Sequence, residues 1–284
     1  MPTKACTAPP VIRRPAVAGY YYPQEAAALR RALTAHLPPD IVPEPAVAAI
    51  VPHGSLRHCG AVTGAVLGRI AVPRRCIIIG PSHAGSPLRW SVLASGSCRT
   101  PLGDVPVDAA CADALLARCD LLSADPWAHT GEHAVEVVLP WLQQLGPPDL
   151  TVVPVVTASD EPDECHRVAQ ALAQVIRLQE EPVLLIASSD WSHFEPAARA
   201  VVLDAGLLDA VQALDAGRLM RRVREQGLIM CGANAVACVL EAAAALGAAR
   251  AEVVRYGTSA EAGGDPAAVT GYAGVMMRKD PQTP

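Results

Sequence analysis

The stretch Leu184–Phe194 reads LLIASSDWSHF, and its two halves differ in chemistry. Leu184–Ala187 is short and apolar and contains β-branched Ile186, which predicts a strand buried in a core. It runs straight into Ser188, Ser189, Asp190, Ser192 and His193, so a polar cluster stands at the strand's carboxyl end. In open α/β sheets that end is where ligands bind.

Two earlier stretches repeat the arrangement. AVAAIVPHG places His53 directly after the apolar run Ala46–Val51, and CIIIGPSH places His83 after Cys76–Ile79. If the three strands are parallel neighbours, His53, His83 and His193 converge on one pocket.

The segments between them support a parallel arrangement. Ala61–Ile70 reads as the crossover helix between the first two strands, completing a βαβ unit. Leu150–Val156, a helix over Glu161–Gln179 and Val183–Ala187 give a second strand, helix and strand. Further helices are expected at Gln24–Leu37, Ala109–Arg118, twice within Pro196–Gln226, and at Cys231–Leu246. TPLGD, between Trp90–Ala94 and Val105–Val107, suits the turn of an antiparallel hairpin or a sheet extension. Glu132–Leu145 alternates in helical fashion, with a kink expected at Pro140 and with Glu132, His133 and Glu136 on one turn. Strands Glu252–Tyr256 and Val269–Met277 close the chain. The expected architecture is a single α/β domain over residues 13–277, a central, mostly parallel mixed sheet flanked by helices, with flexible tails at 1–12 and 278–284.

The 284 residues suffice for a sizeable core, and a chain half hydrophobic with only 18% charged residues is not a disordered one. A net charge of −5 without a basic block argues against nucleic acid. Nine cysteines, none in a C-x-x-C pair, argue against a disulfide framework or a zinc ribbon. No signal-peptide core and no apolar run of about 18 residues occurs, so a reducing cytoplasm is the expected location.

Neutral imidazole binds Zn, Cu and Fe, and two such ligands with a third donor leave positions open for substrate. The third donor is a carboxylate or a thiolate. Cys231 is a candidate because it lies where a helix begins, and a helix amino terminus lowers a thiol's pKa; the competing reading is a small buried apolar residue. Asp190, three residues before His193, is placed to orient that ring or a metal-bound one, or to cap a following helix. His193 is then a general acid or base. Glu132 and His133 do not match H-E-x-x-H, so His133 is expected beside the site and Glu136 in packing or capping. Ser82, Ser188 and Ser189 lack the G-x-S-x-G of a nucleophile elbow, and Gly60–Gly68 lacks the lysine of a phosphate loop. One of Tyr20–Tyr22 either packs the amino terminus or lines the pocket.

The motifs AGYYYP, VPHG, GPSH, TPLGD, EHAVEVVLP, SSDWSHF, MCGAN and GDPAAVTGYAGV occur in this order, and the chain thereby resembles the Memo family, known in prokaryotes as AmmeMemoRadiSam system protein B, over about residues 13–277. That family is similar in fold to the class III extradiol (LigB-type) non-haem iron dioxygenases. The resemblance implies that His53, His83 and Cys231 form the metal site and that His193 takes the place of the dioxygenases' acid/base histidine. A cysteine in place of a carboxylate brings copper into competition with iron, with zinc a further ion of the same donor set. Where the family pattern is close to PHAGYxYSG this chain has PHGSLRHCG, so Leu56, His58 and Cys59 alter the pocket wall, and His58 is a candidate extra ligand. Three roles are consistent with this: a metal-dependent, dioxygenase-like oxidoreductase; a non-catalytic module binding a phosphopeptide or capturing metal, with Arg57 and Arg89 available to an anion; or a component working beside an AMMECR-type protein and a radical-SAM protein.

Overall fold

A computed structural model describes residues 11–86 and 88–280. Nine described strands form one mixed sheet, in the order His193–Glu195, Val269–Lys279, Ala48–Val51, Val183–Ser188, Arg75–Pro81, Thr151–Thr157, Trp90–Val92 and Leu122–Ala124, with Ala248–Thr258 also paired to Val269–Lys279. The four central strands, Ala48–Val51 through Thr151–Thr157, are parallel. The strand that ends in Ser188 therefore lies between the two that lead to His53 and His83, and the three are parallel neighbours.

The central strands are buried on both faces, which is why they read as continuous apolar runs. Ile77, Ile79, Leu185 and Ala187 pack into one core with the helices Ala109–Arg118, Pro162–Arg177, Ala197–Gln212, Ala216–Glu225 and Ala233–Ala245. Cys76, Ile78, Leu184 and Ile186 face the opposite core, under Ala26–Thr34, Leu56–Leu67 and Leu139–Leu145. The alternation of side chains along a strand produces the two layers. The Pro162–Arg177 helix shows how local chemistry fixes an end: Pro162 stands in its first turn with Asp163 and Glu164, and Arg177 in its last, each favourable to the helix dipole.

Four expectations are corrected. Glu132–Leu145 is not one kinked helix: Glu132 and His133 lie in a loop, a 3-10 turn covers Glu136–Val138, and Pro140 sits in the first turn of Leu139–Leu145, where its missing N–H costs nothing. Glu132, His133 and Glu136 consequently share no helical turn. The TPLGD hairpin pairs Ser97–Thr100 with Gly103–Pro106 in a separate small sheet, while Trp90–Val92 joins the main one. Its third strand is Ile12–Arg13, so Ile12 is ordered by pairing with Ser97; the rest of the expected amino-terminal tail, apart from Val11, lies outside the described residues. At the other end the last strand continues through Lys279, where Arg278 pairs with Glu44 and Glu252, and 281–284 lie outside the described residues. No described helix is long and apolar enough to cross a membrane.

Candidate metal centre

His53 leaves its strand through Pro52 and is 1% exposed. Its backbone N–H and that of Gly54 both donate to Asp190 Oδ1, at 2.8 and 3.1 Å. Its ring Nδ1 lies 2.9 Å from Ser188 Oγ, and that hydroxyl donates its single proton to the Ala134 carbonyl at 2.6 Å. Ser188 must then accept from the imidazole, so Nδ1 carries the proton and Nε2 presents a lone pair. Nε2 is 3.1 Å from Cys231 Sγ.

His83 is fixed in the same sense by another partner. Its Nδ1 lies 2.9 Å from Glu132 Oε1, which also accepts the Ala134 N–H, and its backbone N–H donates to Glu132 Oε2. An ionised carboxylate only accepts, so again Nδ1 is protonated and Nε2 is the nitrogen that this bond leaves unengaged. His133 stacks on His83 with centroids 4.5 Å apart and meets His53 edge-on at 5.5 Å. One ring nitrogen from each of His53, His83 and His133 lies within 4.8 Å of the other two. Tyr21 stands edge-on to His133 at 5.0 Å, so of the three tyrosines it is the one beside the cluster, while Tyr22 is buried.

The electrostatics favour neutral imidazoles at His53 and His133 but not at His83. Burial lowers His53 to about 4, with the neighbouring imidazoles adding to the effect against the charge of Asp190. Burial and then the charge of His83 lower His133 as well. Burial alone would raise Glu132, but its hydrogen bonds from His83 and Ala134 outweigh that and hold it at about 2. The same ion pair raises His83 against its own burial.

Several predicted site residues have different places from those expected. The three histidines in mutual reach are His53, His83 and His133, not His53, His83 and His193. Asp190 grips the backbone of the His53 turn rather than a ring, and a strand, not a helix, follows it. Cys231 precedes the Ala233–Ala245 helix and touches His53, yet burial and then the charge of Asp190 push its thiol up, overriding the N–H groups of Asp190 and Gly232. Ser189 Oγ receives the Gly232 N–H, so it supports the Cys231 turn. His58 turns back to Ser55 Oγ at 2.7 Å and stays out of the cluster. Ser82 Oγ is buried without a partner. Arg89 is engaged by Glu164 at 2.7 Å, whereas exposed Arg57 reaches only the Ala262 carbonyl.

His193 lies in the short edge strand, where its Nδ1 contacts the Trp191 and Ile229 carbonyls at 2.9 and 3.0 Å. Carbonyls accept, so this nitrogen is protonated and Nε2 can take a proton. Two residues beyond Ile229 is Cys231, a span of at most about 7 Å of chain. The turn before His193 is held by Asp204, fully buried, which accepts from Ser192 N, Ser192 Oγ and Tyr256 Oη.

Glu132, Asp204 and Arg13 are the supporting residues that sequence reasoning missed. Arg13 pairs with buried Glu136 and donates to the His129 and Glu132 carbonyls, and Glu136 also accepts from Ala16 N, Val17 N and Tyr22 Oη. This buried network ties residues 13–22 to the loop that carries His133. The only available signal was two glutamates inside an otherwise apolar segment, EHAVEVV. A cavity of about 890 Å³ lies at the opposite end of the sheet, and its lining holds no histidine or cysteine.

Comparison with known proteins covers nearly the whole chain. Residues 13–276 match the family model of the Memo-like protein. MEMO1 family proteins of Methanopyrus kandleri and Aquifex aeolicus are 33% and 31% identical to this chain, each over 94% of it and 99% of the relative. Among solved structures, an uncharacterized protein of Escherichia coli K12 is similar with a TM-score of 0.51 at 14% identity, over 81% of this chain and 98% of that one; this likeness concerns the fold.

Proposed function

The chain belongs to the Memo-like family, and from its histidine cluster we infer that it holds one transition-metal ion, Fe(II) or Cu with Zn a further candidate, on His53, His83 and Cys231, with His133 against them, and works as a dioxygenase-like oxidoreductase. The observation that carries the reading is the matched tautomers. Ser188 and Glu132 hold the Nδ1 protons of His53 and His83, and one ring nitrogen of each lies within 4.8 Å of the other and of one from His133. Hydrogen-bonded outer partners of this kind are what orient metal-bound imidazoles.

The donor set fits such an ion, because His53 is neutral at pH 7 and Cys231, a thiol without metal, would ionise on binding. Bound there, iron or copper would supply Lewis acidity and redox chemistry toward an enediol or catechol-like substrate and O₂. Asp190 keeps the His53 turn in place through two backbone N–H groups. His193, with Nδ1 anchored on two carbonyls, would accept a substrate proton at Nε2 and return it. Half-buried Tyr21 closes one wall.

Anaerobic iron loading followed by oxygen-electrode assays on a series of catechols tests the reading. The expected result is O₂ uptake that disappears in His193→Ala while bound iron remains. Iron bound without uptake above the metal-free protein would reduce the role to metal capture.

A further inference from the structure

Asp204 lies fully buried in the Ala197–Gln212 helix and enters no ion pair among the described residues. A buried carboxylate without a counter-charge is costly unless hydrogen bonds offset the lost water. Three donors face this one: Ser192 N–H at 3.1 Å from Oδ1, and Ser192 Oγ and Tyr256 Oη at 2.9 and 2.7 Å from Oδ2. Burial raises the carboxyl's pKa, and these donors, with the charge of His193, oppose the rise.

The bond from Ser192 N–H continues to His193. That N–H belongs to the same peptide group as the Trp191 carbonyl, which accepts the His193 Nδ1 proton at 2.9 Å and shares it with the Ile229 carbonyl at 3.0 Å. Asp204 and His193 are therefore joined through one amide, carboxylate to N–H and C=O to imidazole, over a path of at most about 8.5 Å. In such a chain each hydrogen bond polarises the next, so the negative charge at one end makes the carbonyl at the other a stronger acceptor. The amide is pinned on both sides: Trp191 N donates to the Gly271 carbonyl at 2.9 Å, and Gly271 N to the Ser192 carbonyl at 2.8 Å. Glycine is required there, because a Cβ at 271 would collide with Asp204 Oδ2.

The other charged groups around His193 are engaged elsewhere. Glu195 of its own strand pairs with Arg199 of the helix at 2.8 Å, and the strand opposite presents Thr270 and Val269. Asp190 holds the His53 and Gly54 N–H groups, and burial keeps the Cys231 thiol protonated.

We propose that Asp204 is the positioning residue of His193: through the Trp191–Ser192 amide it fixes the proton on Nδ1 and strengthens Nε2 as a proton acceptor. The inference rests on the reading of His193 as the site's acid and base and adds the group that sets its strength. When Nε2 takes a proton, the Nδ1 proton stays on the ring, and the imidazolium becomes the counter-charge that Asp204 otherwise lacks.

NMR titration of the metal-free protein tests this, with His166, which pairs with Glu241, as internal reference. In wild type the Ser192 amide shift is expected to move with the same midpoint as the His193 ring, because the amide lies between the two charges. Asp204→Asn keeps the size and an acceptor for Ser192 N–H but removes the charge. It should lower the His193 midpoint by about one pH unit, the scale of one charge at this distance in a partly buried site, and leave His166 unmoved. Ser192→Ala removes the hydroxyl bond but keeps the amide, and the midpoint should stay near wild type. An unchanged His193 midpoint in Asp204→Asn, an equal fall in Ser192→Ala, or a wild-type Ser192 amide indifferent to the His193 titration would each overturn the proposal; the last needs no variant to fold. These readouts require neither metal nor turnover, so they can fail while the oxidoreductase reading stands, and iron bound without O₂ uptake would remove that reading while the coupling stands.

Discussion

Glu132 and His83 are joined twice: the carboxylate takes the ring Nδ1 proton through Oε1 and the backbone N–H through Oε2. One side chain thereby sets both the position of the His83 turn and the tautomer of its ring. The carboxylate is buried and kept ionised at about 2, so it acts as a fixed negative charge behind the imidazole.

Glu132→Gln should therefore separate shape from charge. The amide keeps one acceptor but loses the second and the ionic character, so metal affinity is expected to fall about 10–100-fold. Stability should fall by about 1–3 kcal/mol from the N–H left unpaired. Competition titration against a chelator and urea denaturation check the two parts, and wild-type affinity would show that His83 does not need this partner.

Acid should destabilise the metal-free protein in a defined window. His53 and His129 both have folded pKa values lowered to about 4, by burial first, with Arg13 adding to it at His129. Above pH 6.5 each is neutral folded or unfolded and contributes no pH dependence. As pH falls from 6.5 to 4 the unfolded chain takes up protons that the folded one refuses, and stability drops by about 3 kcal/mol per histidine. Glu132, lowered to about 2, adds stability that is present above about pH 4.5 and lost below it. Urea midpoints between pH 7 and 4.5 measure this, and the slope should be shallower in His129→Gln.

Much of the fold was legible because its strands are buried on both faces and punctuated by Pro, Gly and His. Parallel pairing was suggested by apolar runs with crossover helices between them, whereas the order of the strands was not. Local periodicity misled at EHAVEVVLP, where Glu132 bonds to His83 and Glu136 to Arg13 and Tyr22 instead of continuing a helix; contacts 49 and more than 100 residues away decide that segment. His53 and His83 could be named from strand ends, and both lie in the cluster; Cys231, picked at a helix start, touches His53. His133 could not be placed in the cluster, because a loop whose path depends on a buried carboxylate has no period to read.

Gly232 matters to Cys231 through space, not through a turn type. A Cβ there would stand 2.5 Å from Ser189 Cβ and 2.6 Å from the Ser188 carbonyl oxygen. Gly232→Ala is expected to cost about 1–3 kcal/mol by overpacking and to move the thiol off His53. In cobalt-loaded protein the sulfur-to-metal charge-transfer absorption should weaken or vanish. A spectrum identical to wild type would remove Cys231 from the donor set.

The central claim concerns which side chains hold the ion, and metal content after anaerobic purification measures it most directly. Elemental analysis should find about one iron or copper per chain in wild type, with little in His53→Ala, His83→Ala or Cys231→Ala and a nearly full complement in His193→Ala. Equal metal in all five proteins, or none in wild type after iron and copper loading, would contradict it.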